Sequence, residues 1–174
     1  MADVTKELIE RVYSFCDKLD NWELGATDFN VSTHEETRDL AWADYLSYLL
    51  YLLAVDGEVD GDEVEKVNYY LDMNVDSDSL IHTYKTTSLG EGQIPLICKL
   101  FVAADNALYN DYDNPLDDFK LVGLFYTSYS LLGKEFILDD ELTRDEMEAY
   151  ESFMSQMKSY MEENIEFDYT FKVV

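Results

Sequence analysis

The sequence is poor in residues that interrupt or cross-link a chain. Two prolines and seven glycines are spread over 174 residues, with two cysteines and two histidines. Scarce proline and glycine leave long stretches open to helix. Cys16 and Cys98 lie far apart and outside any CxxC pair, which excludes a disulfide framework. They read as small buried side chains in a reducing compartment. His34 and His82 are isolated, so surface or cap roles outweigh zinc ligation and base catalysis. Positive charge is equally scarce: 12 Lys and Arg stand against 38 Asp and Glu, a net charge of −26. Such a chain repels a phosphate backbone and an anionic membrane surface. Residues 45–55, the most apolar stretch, have about half the length that spans a bilayer, so no membrane insertion is expected. The N-terminal run MADVTKELIERV lacks the basic region and apolar core of a signal peptide, so a cytoplasmic protein is expected. No Gly-rich phosphate loop and no GxSxG context is present.

What is present is apolar and helical. Hydrophobic residues make up 47% of the chain and aromatics 14%, too much for a disordered acidic tail. Leu8, Val12, Phe15, Cys16, Leu19 and Trp22 recur at spacings of three and four, predicting a helix over residues 4–20. Thr33 followed by Glu36 reads as a capping box opening a second helix that runs to about residue 55. That helix is apolar nearly all round, as suits a central element. A third helix, about 60–73, carries the stripe Val64, Val67, Tyr70 and Leu71. Ser77 or Ser79 is expected to cap a short fourth helix, and residues 86–94 read as a loop. A buried helix follows Pro95, and residues 109–114 read as an acidic turn. Pro115 suits the first position of the next helix, with Asn114 as its cap and Gly133 ending or bending it. The last helix is expected over about 143–163, with Met147, Tyr150, Phe153, Met154, Met157 and Met161 inward. The tail, 165–174, alternates apolar and polar residues as a short strand or an extended arm would. The fold expected is all-α, a single-domain bundle of about six or seven helices spanning residues 1–174.

Sliding the chain on itself exposes an internal repeat. DGEVDGDEVE at 56–65 aligns without a gap with DDELTRDEME at 139–148, an offset of 83 residues. Asp60 and Thr143 are natural N-caps, with Glu63 and Glu146 three residues on, so each copy reads as a capping box. The unit is helix, sharp acidic turn, helix.

These residues resemble the TerB-like family of the bacterial tellurite-resistance group. LAVDGEVDGDEVEKV at 53–67 and FILDDELTRDEMEAY at 136–150 are similar to that family's two turns, with Asp140 in place of a glycine in the second. FVAADNAL at 101–108 resembles the end of a family helix. The resemblance spans roughly residues 35–165. It implies two helical hairpins related by a pseudo-repeat, here about 35–85 and 95–163, beside an extra N-terminal helix. It also implies a non-enzymatic role in stress or defence through protein contacts, with Asp56, Glu63, Asp139 and Glu146 as the acidic positions carried over.

Two kinds of site follow from the charge. Asp56, Glu58 and Asp60 followed by Gly61 match the opening of a Ca²⁺ loop, but Val67 stands where a bidentate glutamate is needed. A divalent cation such as Ca²⁺ would therefore need both turns, drawing on Asp56, Glu58, Asp60, Glu63, Asp139, Glu141 and Glu146. Turn and cap roles are the competing reading. Asp111, Asp113, Asp117 and Asp118 form a weaker cluster. The second site is a contact surface for a protein with a basic face. Residues 56–78 hold nine acids against Lys66 alone, and 139–168 hold eleven against Arg144 and Lys158. Asp62, Glu65, Asp145, Glu148 and Glu151 are its candidate contacts, and a solvated face conferring solubility is the plain alternative. The function expected is a non-enzymatic binding or scaffold protein without a direct nucleic-acid partner. The alternative is an immunity or inhibitor protein, or a nucleic-acid mimic, whose acidic face blocks a basic toxin or nuclease.

Overall fold

A computed structural model describes residues 2–25, 28–29, 36–55, 59–87, 93–109, 120–138 and 143–169. Among these there are seven helices and no strand: α1 (Ala2–Asn21), α2 (Thr37–Leu53), α3 (Gly61–Leu71), α4 (Ser77–Thr87), α5 (Leu96–Tyr109), α6 (Leu121–Ile137) and α7 (Arg144–Asn164). The all-α bundle expected from the periodicity is the fold observed. Helix α2 packs against every other helix, and α6 packs against α1, α2, α5 and α7. That central position explains why α2 and α6 have almost no polar face: each is covered on several sides at once.

The core runs along these two helices as a file of aromatic rings. Tyr45 stacks on Tyr129 at 4.7 Å, Tyr129 on Tyr48 at 4.8 Å, and Tyr48 lies 4.5 Å from Phe153 of α7. Tyr13 of α1 meets Tyr45 edge-on at 6.0 Å. Tyrosine in a core needs a partner for its hydroxyl. Tyr45 finds Ser128 Oγ, and Tyr48 donates to the Tyr129 carbonyl at 3.3 Å. Cys16 and Cys98 are buried and unbridged, as expected.

Both capping boxes form. Asp60 accepts from the Glu63 amide while Glu63 accepts from the Asp60 amide, both at 2.9 Å. Thr143 and Glu146 repeat the exchange at the start of α7. The inward stripes of α3 and α7 are those the spacing predicts, except that Met147 is only partly buried.

Four boundaries differ from expectation; the α4 start has a local cause and the others a tertiary one. Glu36 is itself the extended N-cap residue of α2, so it is not the third residue of a helix capped by Thr33, which lies outside the described residues. Asp20 of α1 receives the Thr37 amide and hydroxyl instead. In α4, Ser77 is already helical and Asp76 accepts the Ser79 amide at 2.9 Å. Helix α6 starts at Leu121 after an extended Lys120, so no single helix runs on from Pro115; residues 110–119 lie outside the described residues. Gly133 does not end α6, which continues to Ile137. A Cβ at Gly133 would collide with the Tyr48 hydroxyl and meet the Tyr150 ring at 2.7 Å, so glycine serves close helix packing there.

Candidate functional site

Acidic residues line the outer face of α3 and the outer face of α7, and each of these helices lies against α2. Asp62, Glu65, Asp145, Glu148 and Glu151 are all exposed. Each falls off the apolar stripe of its helix, so burying the stripe pushes these carboxylates into water. Among the described residues only Glu148 of the five has an ion pair, with Arg144 one turn away at 2.5 Å. Surface pairs of that kind contribute little, so the negative charge of these five carboxylates is almost unopposed by ion pairs among the described residues.

Of the cation candidates, Asp56, Glu58, Asp139 and Glu141 lie outside the described residues, as do Asp111, Asp113, Asp117 and Asp118. The remaining three are described. Asp60, Glu63 and Glu146 spend carboxylate oxygens on the capping boxes. No group of three or more metal-ligating side chains occurs among the described residues. His82 is exposed on α4, and His34 lies outside the described residues.

Two carboxylates that periodicity did not single out are buried. Asp44 of α2 points at the start of α5 and accepts the Ile97 amide at 2.7 Å. Asp105 of α5 points at the start of α6 and accepts the Leu121 and Val122 amides at 3.1 and 3.0 Å. Burial raises Asp44 to about 7; the Ile97 and Leu96 amides and the charge of Lys99 pull the other way and lose. Burial likewise raises Asp105 to about 6 against the Val122 and Leu121 amides and the charge of Lys120. A carboxylate raised by burial is a common mark of a catalytic acid. Here each group is occupied by a helix N-terminus, which is an anion site in its own right. The sequence carried one faint signal: Asp44 and Asp105 each stand among apolar residues on a largely apolar helix.

With Asp20 at the start of α2, three of the helices receive their capping carboxylate from another helix. At the other pole of α3, the Trp42 indole donates to the Leu71 carbonyl at 3.2 Å, and the Lys6 ammonium reaches the Tyr69 carbonyl and Asp72, both at 2.7 Å. These contacts lock helix ends together.

No protein-family model, curated protein or solved structure matches the chain. The class defined by the fold is an acidic seven-helix bundle, counted among the described residues. None of its helices is long and apolar enough to cross a membrane.

Proposed function

We propose that this is a non-enzymatic binding protein whose acidic α3 and α7 faces receive a protein partner with a basic surface. The observation that carries the reading is the exposure of Asp62, Glu65, Asp145 and Glu151 with no ion pair among the described residues. The buried acids support it from the other side, since Asp44 and Asp105 are consumed in joining helices. A TerB-like scaffold role in stress or defence belongs to the same proposal. It draws support from two capping boxes standing 83 residues apart at the starts of α3 and α7. The inhibitor reading shares the surface and differs in the partner, a single basic toxin or nuclease.

The test is affinity capture from the host lysate at low and high salt, with two baits. One is the native chain and the other carries Asp62→Asn, Glu65→Gln, Asp145→Asn and Glu151→Gln. Capture of a basic protein by the native bait alone supports the reading. Equal capture by both baits overturns it. Tight binding of one toxin or nuclease whose on-rate falls with salt selects the inhibitor, because screening weakens charge steering. Salt-resistant capture of stress-system components selects the scaffold. A cation role is tested separately: Ca²⁺ should raise the melting temperature of the native chain and not that of Asp56→Asn with Asp139→Asn. No rise at millimolar Ca²⁺ removes it.

A further inference from the structure

Helix α3 presents an exposed stripe, Asp62, Glu65 and Tyr69 at i, i+3 and i+7, with the exposed C-cap Asp72 just beyond. That spacing keeps the three side chains on one face. The far end of the stripe holds a cation from another helix. The Lys6 ammonium of α1 donates to the Asp72 carboxylate and to the Tyr69 carbonyl, both at 2.7 Å, and lies 4.6 Å over the Tyr69 ring. Carboxylate, helix-end carbonyl and ring face together make a seat for an ammonium group. The seat goes against the preferences of the helix that carries it. Asp72 stands at φ 51°, the left-handed conformation that glycine takes most easily. It also places a negative charge at the negative pole of α3. A bound cation offsets both costs.

The near end of the stripe has the same acids without a cation among the described residues. Asp62 and Glu65 are exposed and make no ion pair there. Lys66 lies one turn from Asp62, but its ammonium leans 5.7 Å over the Phe136 ring of α6. Tyr69 stays 43% exposed beside them despite Lys6.

We propose that Asp62 and Glu65 receive lysine side chains that a helix of the protein partner presents one turn apart, and that Lys6 holds the last place in the same row, on Tyr69 and Asp72. This rests on the reading that the α3 face binds a basic protein, and it names the group recognised there. The group is an ammonium because that is what the stripe holds at Asp72. The bearer is a helix because the steps match: residues three or four apart on a helix rise about 4.5–6 Å, whereas alternate residues of an extended chain are about 6.8 Å apart. A helix laid along α3 therefore brings one lysine to each turn of the stripe.

The test follows fluorescence anisotropy of labelled, end-blocked, alanine-rich helical peptides at low salt, against full-length chains whose fold is checked by circular dichroism. One peptide has lysines at i and i+3, one has a third at i+7, and one has its two lysines on opposite faces at i and i+2. The native chain should bind the first two equally, because Lys6 holds the last seat, and the third more weakly. Lys6→Met keeps an apolar stem and opens that seat. The three-lysine helix should then bind about threefold more tightly than the two-lysine one, the size of an exposed cation–π contact. Asp62→Asn with Glu65→Gln should weaken binding of the two-lysine helix by about tenfold. Asp145→Asn with Glu151→Gln makes the same charge change on α7 and should alter it by less than about twofold, since distant charges are screened. The proposal fails if the α7 pair matters as much as the α3 pair, if the third lysine adds as much to the native chain as to Lys6→Met, or if lysine spacing has no effect; net charge is then the whole attraction. Any of those outcomes beside capture of a basic protein from lysate by the native bait alone sinks the lysine row and keeps the acidic-face reading. Equal capture by both lysate baits sinks both.

Discussion

Asp44 and Asp105 are the residues at which burial and charge conflict most. In the folded chain they hold their protons to about 7 and about 6, against an ordinary value of 3.8. A carboxyl raised on folding stabilises the fold fully below its unfolded value, and that stabilisation is lost as pH rises through the folded value. The melting temperature should therefore fall between pH 5 and pH 8. Asp44→Asn, which keeps one oxygen for the Ile97 amide, should flatten that slope, as calorimetry at several pH values would register; an unchanged slope would contradict the assignment. Tyr129 offers a second single-residue test. Its hydroxyl is buried without a hydrogen-bond partner among the described residues. Burying an unpaired hydroxyl carries a desolvation penalty, so Tyr129→Phe should raise unfolding free energy by about 1 kcal/mol in urea titrations. Tyr45→Phe loses the bond to Ser128 and should move the other way.

Helices in this protein begin where carboxylates and hydroxyls collect their free amides. The α3 and α7 caps are local, and Asp60→Ala or Thr143→Ala should each cost about 1 kcal/mol with no change in denaturant slope. The α2, α5 and α6 caps come from α1, α2 and α5, so those elements exist as drawn only inside the bundle. This difference sets how far each boundary was legible. Asp60 and Thr143 stand three residues before a glutamate, a pattern visible in the chain itself. Asp105 stands 16 residues before Leu121, a separation that no helical period encodes. Proline and asparagine at 114–115 therefore attracted a start that the structure places at 121. Gly133 misled for a related reason: as punctuation it suggests an end, whereas in the packed molecule it admits Tyr48 and Tyr150. Gly133→Ala gains up to about 1 kcal/mol of helix propensity and incurs about 1–3 kcal/mol of overpacking. Urea unfolding should show a net loss.

At the scale of the whole molecule, a net charge of −26 on 174 residues makes self-repulsion a standing load on the folded state. Salt relieves it. The screening length falls from about 10 Å at 0.1 M to about 3 Å at 1 M, so the melting temperature should rise over that range of NaCl. A fall would mean that favourable ion pairs dominate, contrary to the few pairs found among the described residues. The same field steers a basic partner, so association should slow over the salt range in which the fold gains stability. That opposition separates binding electrostatics from folding electrostatics in one set of buffers.

The sequence by itself determined the helical class, the inward stripes of α3 and α7, both capping boxes and the sign of the surface, because all of these depend on residues within a turn or two of one another. Of the acidic candidates, those on α3 and α7 stood in the pattern before any fold was known. Only the tertiary structure decided which carboxylates are buried, where α2 and α6 begin, and that residues 165–169, the described part of the tail, lie along Asn106, Tyr109 and Gly123. Those outcomes depend on which distant groups meet, and burial, the effect that raises Asp44 and frees Asp62, is a property of the assembled bundle.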